Sequence, residues 1–257
     1  MCFESATPTP AIHDDARSPA CELRAEGVRK AFGPKVVLDR IDLSINQGEI
    51  VALVGGSGTG KTVLLDHLTG LMRPDDGRVL AANHARPGAP LVNLAELDFD
   101  ELDDVRLHWS IVFQRNALFS GSVYENVALW LREHTPLHED QIAQRVKDSL
   151  AAVSLDVADV LKKDRDSLSG GMAKRVAIAR AIAVDPVVTF YDEPTTGLDP
   201  VVTNHVIELI WNLHHRPRAD HAPRTTIIVT HDRELLRRIA PRVVMLSAGR
   251  IVFDGSY

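Results

Sequence analysis

The spacing of apolar residues in the first part of the chain predicts short strands that lead into one buried strand. Strand character occurs at three places, residues 23–28, 36–38 and 41–45. An Asn-Gln-Gly turn signal follows at residues 46–48. Residues 50–54 are continuously apolar, which is typical of a central parallel strand covered on both faces.

A helical pattern begins after residue 60 and ends near Gly70. One face of this predicted helix carries three leucines, Leu64, Leu68 and Leu71. Residues 74–77, Pro-Asp-Asp-Gly, indicate a turn. The acidic run at residues 96–104 lies in a stretch of weak periodicity, and we interpret it as a solvated face or a loop.

The second half of the chain combines a long helical stretch with further strands. Residues 111–113 are a strand candidate, and residues 122–161 are helical in pattern with one break at Pro136. Strand character returns at three places, residues 187–191, residues 225–230 and a hairpin at 242–253 around Ala248-Gly249. The sequence therefore predicts an α/β core that is interrupted by a helical lobe at about residues 115–185.

Composition limits the classes of protein that fit this pattern. The chain has 257 residues, of which 45% are apolar, so it can form one large α/β domain or a domain with an inserted lobe. A net charge of −6 argues against a nucleic-acid partner. The longest apolar runs are about six residues, far below the roughly 20 that span a bilayer. If the protein works at a membrane, something other than a membrane-spanning segment of these residues must hold it there.

The N-terminal residues have a composition of their own. Residues 1–20 are rich in Pro, Ala, Ser, Thr and Asp and lack the basic and apolar regions of a secretory signal, so residues 1–21 are predicted to be a flexible tail. Cys2 and Cys21 are the two cysteines, without zinc-ligand spacing, and are expected to be free thiols in a reducing compartment.

A glycine-rich loop follows the buried strand 50–54 and matches the pattern G-x-x-x-x-G-K-[ST]. It consists of Gly55, Gly56, Ser57, Gly58, Thr59, Gly60, Lys61 and Thr62. Glycines allow backbone N–H groups to surround phosphate oxygens, and the helix that follows presents its positive end. Lys61 can address the β- and γ-phosphates, and the Thr62 hydroxyl can coordinate Mg²⁺. The loop predicts ATP and Mg²⁺ as ligands.

Two further motifs carry related chemistry. The apolar strand 187–191 ends in Asp192-Glu193, so one carboxylate can address Mg²⁺ and the other a water. Residues 168–172, Leu-Ser-Gly-Gly-Met, precede a helical segment at 173–184 and form a second anion-binding helix start. If two copies pair head to tail, each ATP can lie between the glycine-rich loop of one copy and the second helix start of the other. An isologous dimer has this self-complementary geometry.

Together these motifs resemble those of ABC transporter ATPase subunits, from about residue 22 to residue 255. The resemblance implies a P-loop NTPase (RecA-like) mixed-sheet core, an N-terminal antiparallel β region and an inserted α-helical subdomain. The core would comprise residues 22–114 and 186–257, with residues 115–185 as the helical subdomain.

The resemblance also implies roles for single residues. Gln114 would contact Mg²⁺ or the attacking water, Asp192 would hold Mg²⁺, and Glu193 would be the general base. His231 would contact the γ-phosphate, and Lys61 would join His231 in stabilising the charge that develops there. Taken alone, Gln114 could be an ordinary polar strand end and His231 a structural histidine.

Further roles concern the adenine ring and a second subunit. Phe32 would stack on adenine, although the family more often has Tyr there, and by itself it could be a core residue. The trans-ATP signature would comprise Ser169, Gly170, Gly171 and Met172. Asp199 would cross the dimer interface, although before Pro200 it could also be a turn or N-cap residue.

Two departures from the family pattern refine the resemblance. Met172 stands where the family usually has Gln, and Ser167 where Glu is frequent. The Leu-Ser-Gly-Gly-Met signature, residues 117–119 (Ala-Leu-Phe) and residues 131–135 (Leu-Arg-Glu-His-Thr) resemble the Mla/Mce group of lipid-transport ATPases. That group implies a homodimer, integral-membrane permease subunits, an Mce-type lipid-binding subunit and a peripheral location at the cytoplasmic face of the membrane.

Three alternatives stay open at this point. The cargo could be an amino acid, a metal or another small solute instead of a lipid. A non-transport ABC ATPase is disfavoured because the chain has one ATPase unit, no heptad run and a negative net charge. A degenerate regulator is disfavoured because Lys61, Glu193, Ser169 and His231 are all present.

Overall fold

The computed structural model describes residues 20–218 and 222–257. The predicted tail therefore lies almost entirely outside the described residues, as does Cys2. Cys21 opens the first strand as a free thiol. The described residues form ten strands, Cys21–Phe32 (β1), Lys35–Asn46 (β2), Ile50–Val54 (β3), Asp76–Ala81 (β4), Val92–Asn93 (β5), Trp109–Val112 (β6), Val188–Asp192 (β7), Thr225–Val229 (β8), Arg242–Ser247 (β9) and Arg250–Ser256 (β10).

Eight α-helices connect these strands, Lys61–Leu68 (α1), Phe99–Arg106 (α2), Val123–His134 (α3), Glu139–Ala152 (α4), Val157–Val160 (α5), Gly170–Ala183 (α6), Pro200–His215 (α7) and Arg233–Ile239 (α8), with one 3-10 turn at Arg165–Ser167 among the described residues. Pro136 lies between α3 and α4, which confirms the predicted break. The helical stretch is thus three helices, α3 to α5, followed by α6.

The strands form two sheets. The first has the order β2-β1-β4-β5 and is antiparallel. The second has the order β10-β9-β3-β8-β7-β6, in which β10 is antiparallel and the remaining neighbours are parallel. This arrangement confirms the predicted fold class, a mixed-sheet α/β core with an N-terminal antiparallel β region.

Apolar side chains cover both faces of the six-stranded sheet. Along β8, Ile227 and Val229 pack toward α1 and the antiparallel sheet, whereas Ile228 belongs to the cluster on the other face, formed by the helical lobe with α7 and α8. On β7, Phe190 and Tyr191 alternate in the same way. Alternation along a strand places successive side chains on opposite faces. The sheet is therefore buried between two hydrophobic clusters, and the lobe packs directly on it.

Two predicted boundaries in the first part of the chain are wrong. Residues 36–38 and 41–45 belong to one strand, β2, which continues through Arg40 even though that residue has a positive φ of 54°. Leu71 lies beyond the end of α1 and is 50% exposed, because Gly70 takes a left-handed φ of 69° and turns the chain.

The acidic run is partly helical, which the weak periodicity did not show. Helix α2 begins after Asp98, whose carboxylate accepts from the Glu101 backbone N–H, and the Glu101 carboxylate accepts from the Asp98 N–H. This capping box satisfies two backbone donors at the start of the helix. Acidic side chains are also favourable at that end of a helix dipole.

Candidate functional site

Four adjacent parallel strands bring the predicted motifs to one edge of the sheet. The strands β3, β8, β7 and β6 pair in parallel register, so their carboxyl ends lie side by side. The glycine-rich loop follows β3, His231 follows β8, and Asp192 ends β7 with Glu193 next. Gln114 lies two residues beyond β6 and is exposed. Ligands of open α/β sheets bind at this edge.

The glycine-rich loop has a shape that only glycine permits at two points. Gly55 has φ 150°, and a Cβ there would lie 2.4 Å from the Leu246 carbonyl oxygen. Gly60 has φ 101° and precedes α1 as its N-cap, where a Cβ would lie 2.9 Å from Leu38 Cδ2. Side chains at these positions would displace neighbouring backbone or core atoms. The loop therefore presents bare backbone at the start of α1.

Lys61 and Phe32 border the same cavity. The Lys61 ammonium group donates to the carbonyl oxygens of Gly55, at 2.9 Å, and Gly56, at 2.8 Å, so it lies across the loop. A cavity of about 410 Å³ adjoins it, lined in part by Phe32, Lys61 and Thr62. The Phe32 ring is 49% exposed, and the Lys30 ammonium lies 5.9 Å from its centroid. An exposed aromatic ring beside a phosphate-binding loop can stack on a base.

The donor set beside Lys61 fits Mg²⁺. The Thr62 hydroxyl oxygen lies 3.4 and 3.5 Å from the two carboxylate oxygens of Asp192, close enough for one cation to contact both residues. Hydroxyl and carboxylate oxygens are ligands that Mg²⁺ prefers, completed by phosphate oxygens and waters. Thr62 and Asp192 would hold the ion there. When bound, the ion would supply positive charge to the phosphate oxygens.

The Asp192 carboxyl group is in an unfavourable place for a charge. It is 4% exposed, and burial raises its pKa, with the Glu193 carboxylate adding to the rise. The Thr62 hydroxyl and the Lys174 ammonium act in the opposite direction. A buried carboxylate with a raised pKa destabilises the folded state at neutral pH unless a cation binds it.

Glu193 departs from the extended backbone of its strand. Its φ is 50°, in the left-handed region, while its N–H donates to the Val229 carbonyl on β8 at 2.9 Å. This conformation costs about 1 kcal/mol for a residue other than glycine. The bend directs the Glu193 carboxylate toward His231, whose Nδ1 lies 2.9 Å from Oε1, and the Thr196 hydroxyl donates to Oε2 at 3.3 Å.

The signature residues lie at a separate helix start. Ser169 is the N-cap of α6 and accepts from the Met172 N–H at 3.3 Å, which leaves Gly170 and Gly171 in the first turn. No hydrogen bond or ion pair among residues 20–218 and 222–257 joins them to the glycine-rich loop. Met172 packs on the helical-lobe cluster. Met172 thus has a packing contact in place of the polar contacts a Gln would make.

Asp199 caps a helix that the sequence did not predict. Its carboxylate accepts from the backbone N–H groups of Val201, at 2.9 Å, and Val202, at 3.0 Å, at the start of α7. Its N-cap interpretation is confirmed. Its predicted dimer role stays a prediction.

Several residues at the site were not found from the sequence. The Thr195 hydroxyl donates to Asp232 at 2.9 Å and ties the Glu193 loop to the His231 segment. The Lys174 ammonium donates to backbone carbonyls beside Gln114. Thr195 lies in the stretch 192–199 and Lys174 just after the signature residues, but their contacts depend on which segments the fold brings together.

Comparison with known proteins agrees with this geometry. The family model "ABC transporter" matches residues 38–196, more than half of the chain. A probable ribonucleotide transport ATP-binding protein, mkl, of Mycobacterium leprae is 36% identical over 247 residues, covering 95% of this chain and 67% of that protein. The chain spans 61% of a second mycobacterial relative of the same description, from Mycobacterium bovis.

A bacterial phospholipid-transport protein and a solved structure are also similar. The intermembrane phospholipid transport system ATP-binding protein MlaF of Haemophilus influenzae is 36% identical over 225 residues, covering 87% of this chain and 80% of that protein. The dimeric post-hydrolysis structure of the ATP-binding cassette MJ0796 bound to ADP and Pi has a TM-score of 0.79 at 28% identity and covers 91% of this chain and 98% of that one.

Replacing Asp192 with Asn should exchange cation binding for stability. Because the amide is neutral, Asp192→Asn should raise the free energy of unfolding at pH 7 by about 1 kcal/mol without nucleotide. The gain should shrink as the pH falls through the raised pKa of Asp192, since the native carboxyl group is then protonated too. Urea unfolding at several pH values measures both effects.

The same variant should lose the stabilisation that Mg²⁺ adds to ATP. Thermal melts with ATP and EDTA, and with ATP and Mg²⁺, separate the two ligands. A variant that is less stable than the wild type without ligand, or that keeps the full Mg²⁺-dependent shift, would contradict this view of Asp192.

Proposed function

This chain belongs to the ABC transporter family as an ATP-binding and ATP-hydrolysing subunit, and we propose that it powers the transport of phospholipid or a related lipid through a separate membrane permease. The observation that carries the ATPase part is the convergence of the glycine-rich loop, Asp192, Glu193 and His231 at one sheet edge. The lipid part is supported by the similarity to MlaF over 80% of that protein.

We propose the following division of work at the ATP site. Lys61 and the backbone of the loop bind the phosphates, with Thr62, Asp192 and Gln114 around Mg²⁺. Glu193 orients the attacking water and accepts its proton, while Lys61 and His231 stabilise the charge that develops on the γ-phosphate. The Glu193–His231 contact of 2.9 Å supports this assignment, because it places the two side chains next to each other at the sheet edge.

A second copy of the chain would complete each ATP site. Within one chain the Ser169 helix start and the glycine-rich loop have no described hydrogen bond, yet both are suited to anions. The MJ0796 cassette similar to this chain is dimeric and holds ADP and Pi. In a head-to-tail dimer, Ser169, Gly170 and Gly171 would contact the γ-phosphate held by the partner, and Asp199 would lie near the interface. ATP would then favour the closed pair, and hydrolysis would open it.

A groove on the helical lobe is the place where we propose the permease docks. This lobe groove has a volume of about 360 Å³ and is lined by Trp109, Phe119, Leu129, Trp130 and Arg180, among others. Phe119 is 55% exposed and Leu129 40%, which gives the lobe groove an apolar surface suited to a partner helix.

We propose a peripheral location at the cytoplasmic face of the membrane, where ATP is supplied and a permease can be reached. None of the helices in the described part of the chain has the length and apolar character needed to cross a membrane. An Mce-type lipid-binding subunit is a further partner of this proposed complex.

Glu193→Gln should keep ATP binding and abolish most hydrolysis. The amide keeps the size of the side chain but cannot accept the proton from water, so we expect kcat to fall by at least about 100-fold. Phosphate release and a nucleotide titration measure the two properties. Lys61→Ala is the contrasting variant, because it should weaken ATP binding itself. Wild-type hydrolysis by Glu193→Gln would refute the proposed role.

Leu129→Glu should weaken the association with the permease, because it places a charge in the apolar lobe groove. Phe99→Glu is the matched control, since Phe99 is 88% exposed on α2 and lies outside the lobe groove. Co-purification with the permease encoded nearest to this gene measures the association. Equal losses for both variants, or none for Leu129→Glu, would contradict the docking site.

The cargo is tested with the assembled transporter in proteoliposomes. We expect ATP-dependent movement of labelled phospholipid, and none with the Glu193→Gln variant. A labelled ribonucleotide is the second arm, because the name of the Mycobacterium leprae relative gives that cargo. Movement of the ribonucleotide, or of an amino acid or metal, without movement of phospholipid would overturn the lipid proposal and leave the ATPase assignment intact.

A further inference from the structure

Three cationic side chains hold the backbone of the loop that contains Gln114. We call residues 113–119 the switch loop. The Lys174 ammonium donates to the carbonyl oxygens of Phe113, at 3.0 Å, and Gln114, at 3.2 Å. Further along the switch loop, two guanidinium groups donate to carbonyl oxygens, Arg180 to Ala117 at 2.9 Å and Arg165 to Leu118 at 2.7 Å.

All three cations lie in residues 165–183, the 3-10 turn and helix α6 on either side of Ser169. Lys174 and Arg180 are on α6, whose N-cap is Ser169, and Arg165 opens the 3-10 turn just before it. The switch loop is therefore fastened to the helix whose start would contact the partner's ATP. At its N-terminal end the switch loop continues directly from β6.

Lys174 is buried in a way that is costly for a charged side chain. It is 2% exposed, and burial lowers the pKa of its ammonium group. The charged groups that face it are the carboxylates of Asp192 and Glu193, and within the described residues no carboxylate lies at ion-pair distance. Burying a cation without a partner carries a penalty, so the two carbonyl contacts must be strong enough to hold it.

The switch loop also contains a strained residue. Ala117 has a φ of 45°, in the left-handed region that residues with a Cβ seldom adopt. Arg180 bonds the carbonyl of this residue and lies 5.3 Å from the centroid of the Phe119 ring. The shape of the switch loop thus depends on contacts from α6 in addition to its own hydrogen bonds.

From this geometry we propose that Lys174 is a positioning residue for Gln114, which couples the switch glutamine to the signature helix. The proposal rests on the role proposed for Gln114 at the ATP site. The Lys174 ammonium group fixes the backbone of Gln114 relative to α6. Any shift of α6 against the sheet therefore moves the glutamine with it. Gln114 and the Ser169 helix start then engage and release ATP together.

The variant that tests this is Lys174→Met, which keeps the length of the side chain and removes both donors and charge. We expect kcat for ATP to fall by at least about tenfold, since small displacements of catalytic groups have large effects on rate. The KM for ATP should change by less than about twofold, because among the described residues the ammonium group of Lys174 donates to Phe113 and Gln114 and makes no hydrogen bond to the glycine-rich loop. Lys174→Gln keeps a donor and should stay within about threefold of the wild type.

Arg175→Met is the matched control. Arg175 is the next residue of α6 and also donates to a backbone carbonyl, but to that of Ser154, at 2.8 Å, outside the switch loop. The Arg175→Met variant therefore measures how much kcat falls when α6 loses one hydrogen bond from a cationic side chain to a backbone carbonyl outside the switch loop. Melting temperatures of all variants show which part of any loss is due to unfolding. If Lys174→Met does not fold, Lys174→Ala, which also lacks the donors and the charge, takes its place in the comparison below.

A double-mutant cycle with Gln114→Ala separates positioning from a structural role. If Lys174 acts through Gln114, Lys174→Met should lower kcat by less than about twofold in the Gln114→Ala background. Additive losses in the cycle, an unchanged kcat in Lys174→Met, or an equal loss in Arg175→Met would overturn the proposal. Failure of the proposed ATPase function would give a different result. The wild type would then show no ATP hydrolysis, or hydrolysis that the Glu193→Gln variant retains.

Discussion

The parallel pairing of β3, β8, β7 and β6 is the constraint on which the site depends. Neighbouring parallel strands end at the same edge, so groups distant in sequence, from the glycine-rich loop to His231, lie together without long side chains. This pairing requires both faces of the sheet to be covered. The antiparallel sheet with α1 supplies one cover, and the helical lobe together with α7 and α8 supplies the other, so the lobe that carries Ser169 is also part of the core.

The site between these covers contains charged groups and a backbone conformation that are unfavourable for folding, and the rest of the fold is stable enough to tolerate them. Asp192 keeps a carboxyl group where burial raises its pKa, and Glu193 keeps a left-handed backbone. Lys174 keeps a buried ammonium group nearby. Each of these features lowers the stability of the folded protein when no ligand is bound. Each also places a group where it can act on phosphate, a cation or water. Binding of ATP with Mg²⁺ would compensate the first of these directly.

The fold class and most of the site could be predicted because their signals are local. Residues 50–54 form an apolar run beside a specific motif, and the strands 187–191 and 225–230 are buried on both faces, so their boundaries agree closely with the structure. Helix α2 was missed because its capping box, Asp98 and Glu101, lies inside an acidic run that resembles a loop. Arg40 shows the limit of strand prediction, since β2 passes through a residue with positive φ. The bend at Glu193 and the contacts of Lys174 depend on packing between distant segments, which periodicity does not report.

The switch loop has a further consequence that follows from its length. Gln114, at the ATP edge, and Phe119, in the lobe groove, are five residues apart, and a chain of that length spans at most about 18 Å even when fully extended. The loop is bent and clamped at four carbonyl groups, so it has little slack to absorb a displacement. A push on the lobe groove would therefore reach the nucleotide edge along a single short piece of backbone, without a relay through the hydrophobic core.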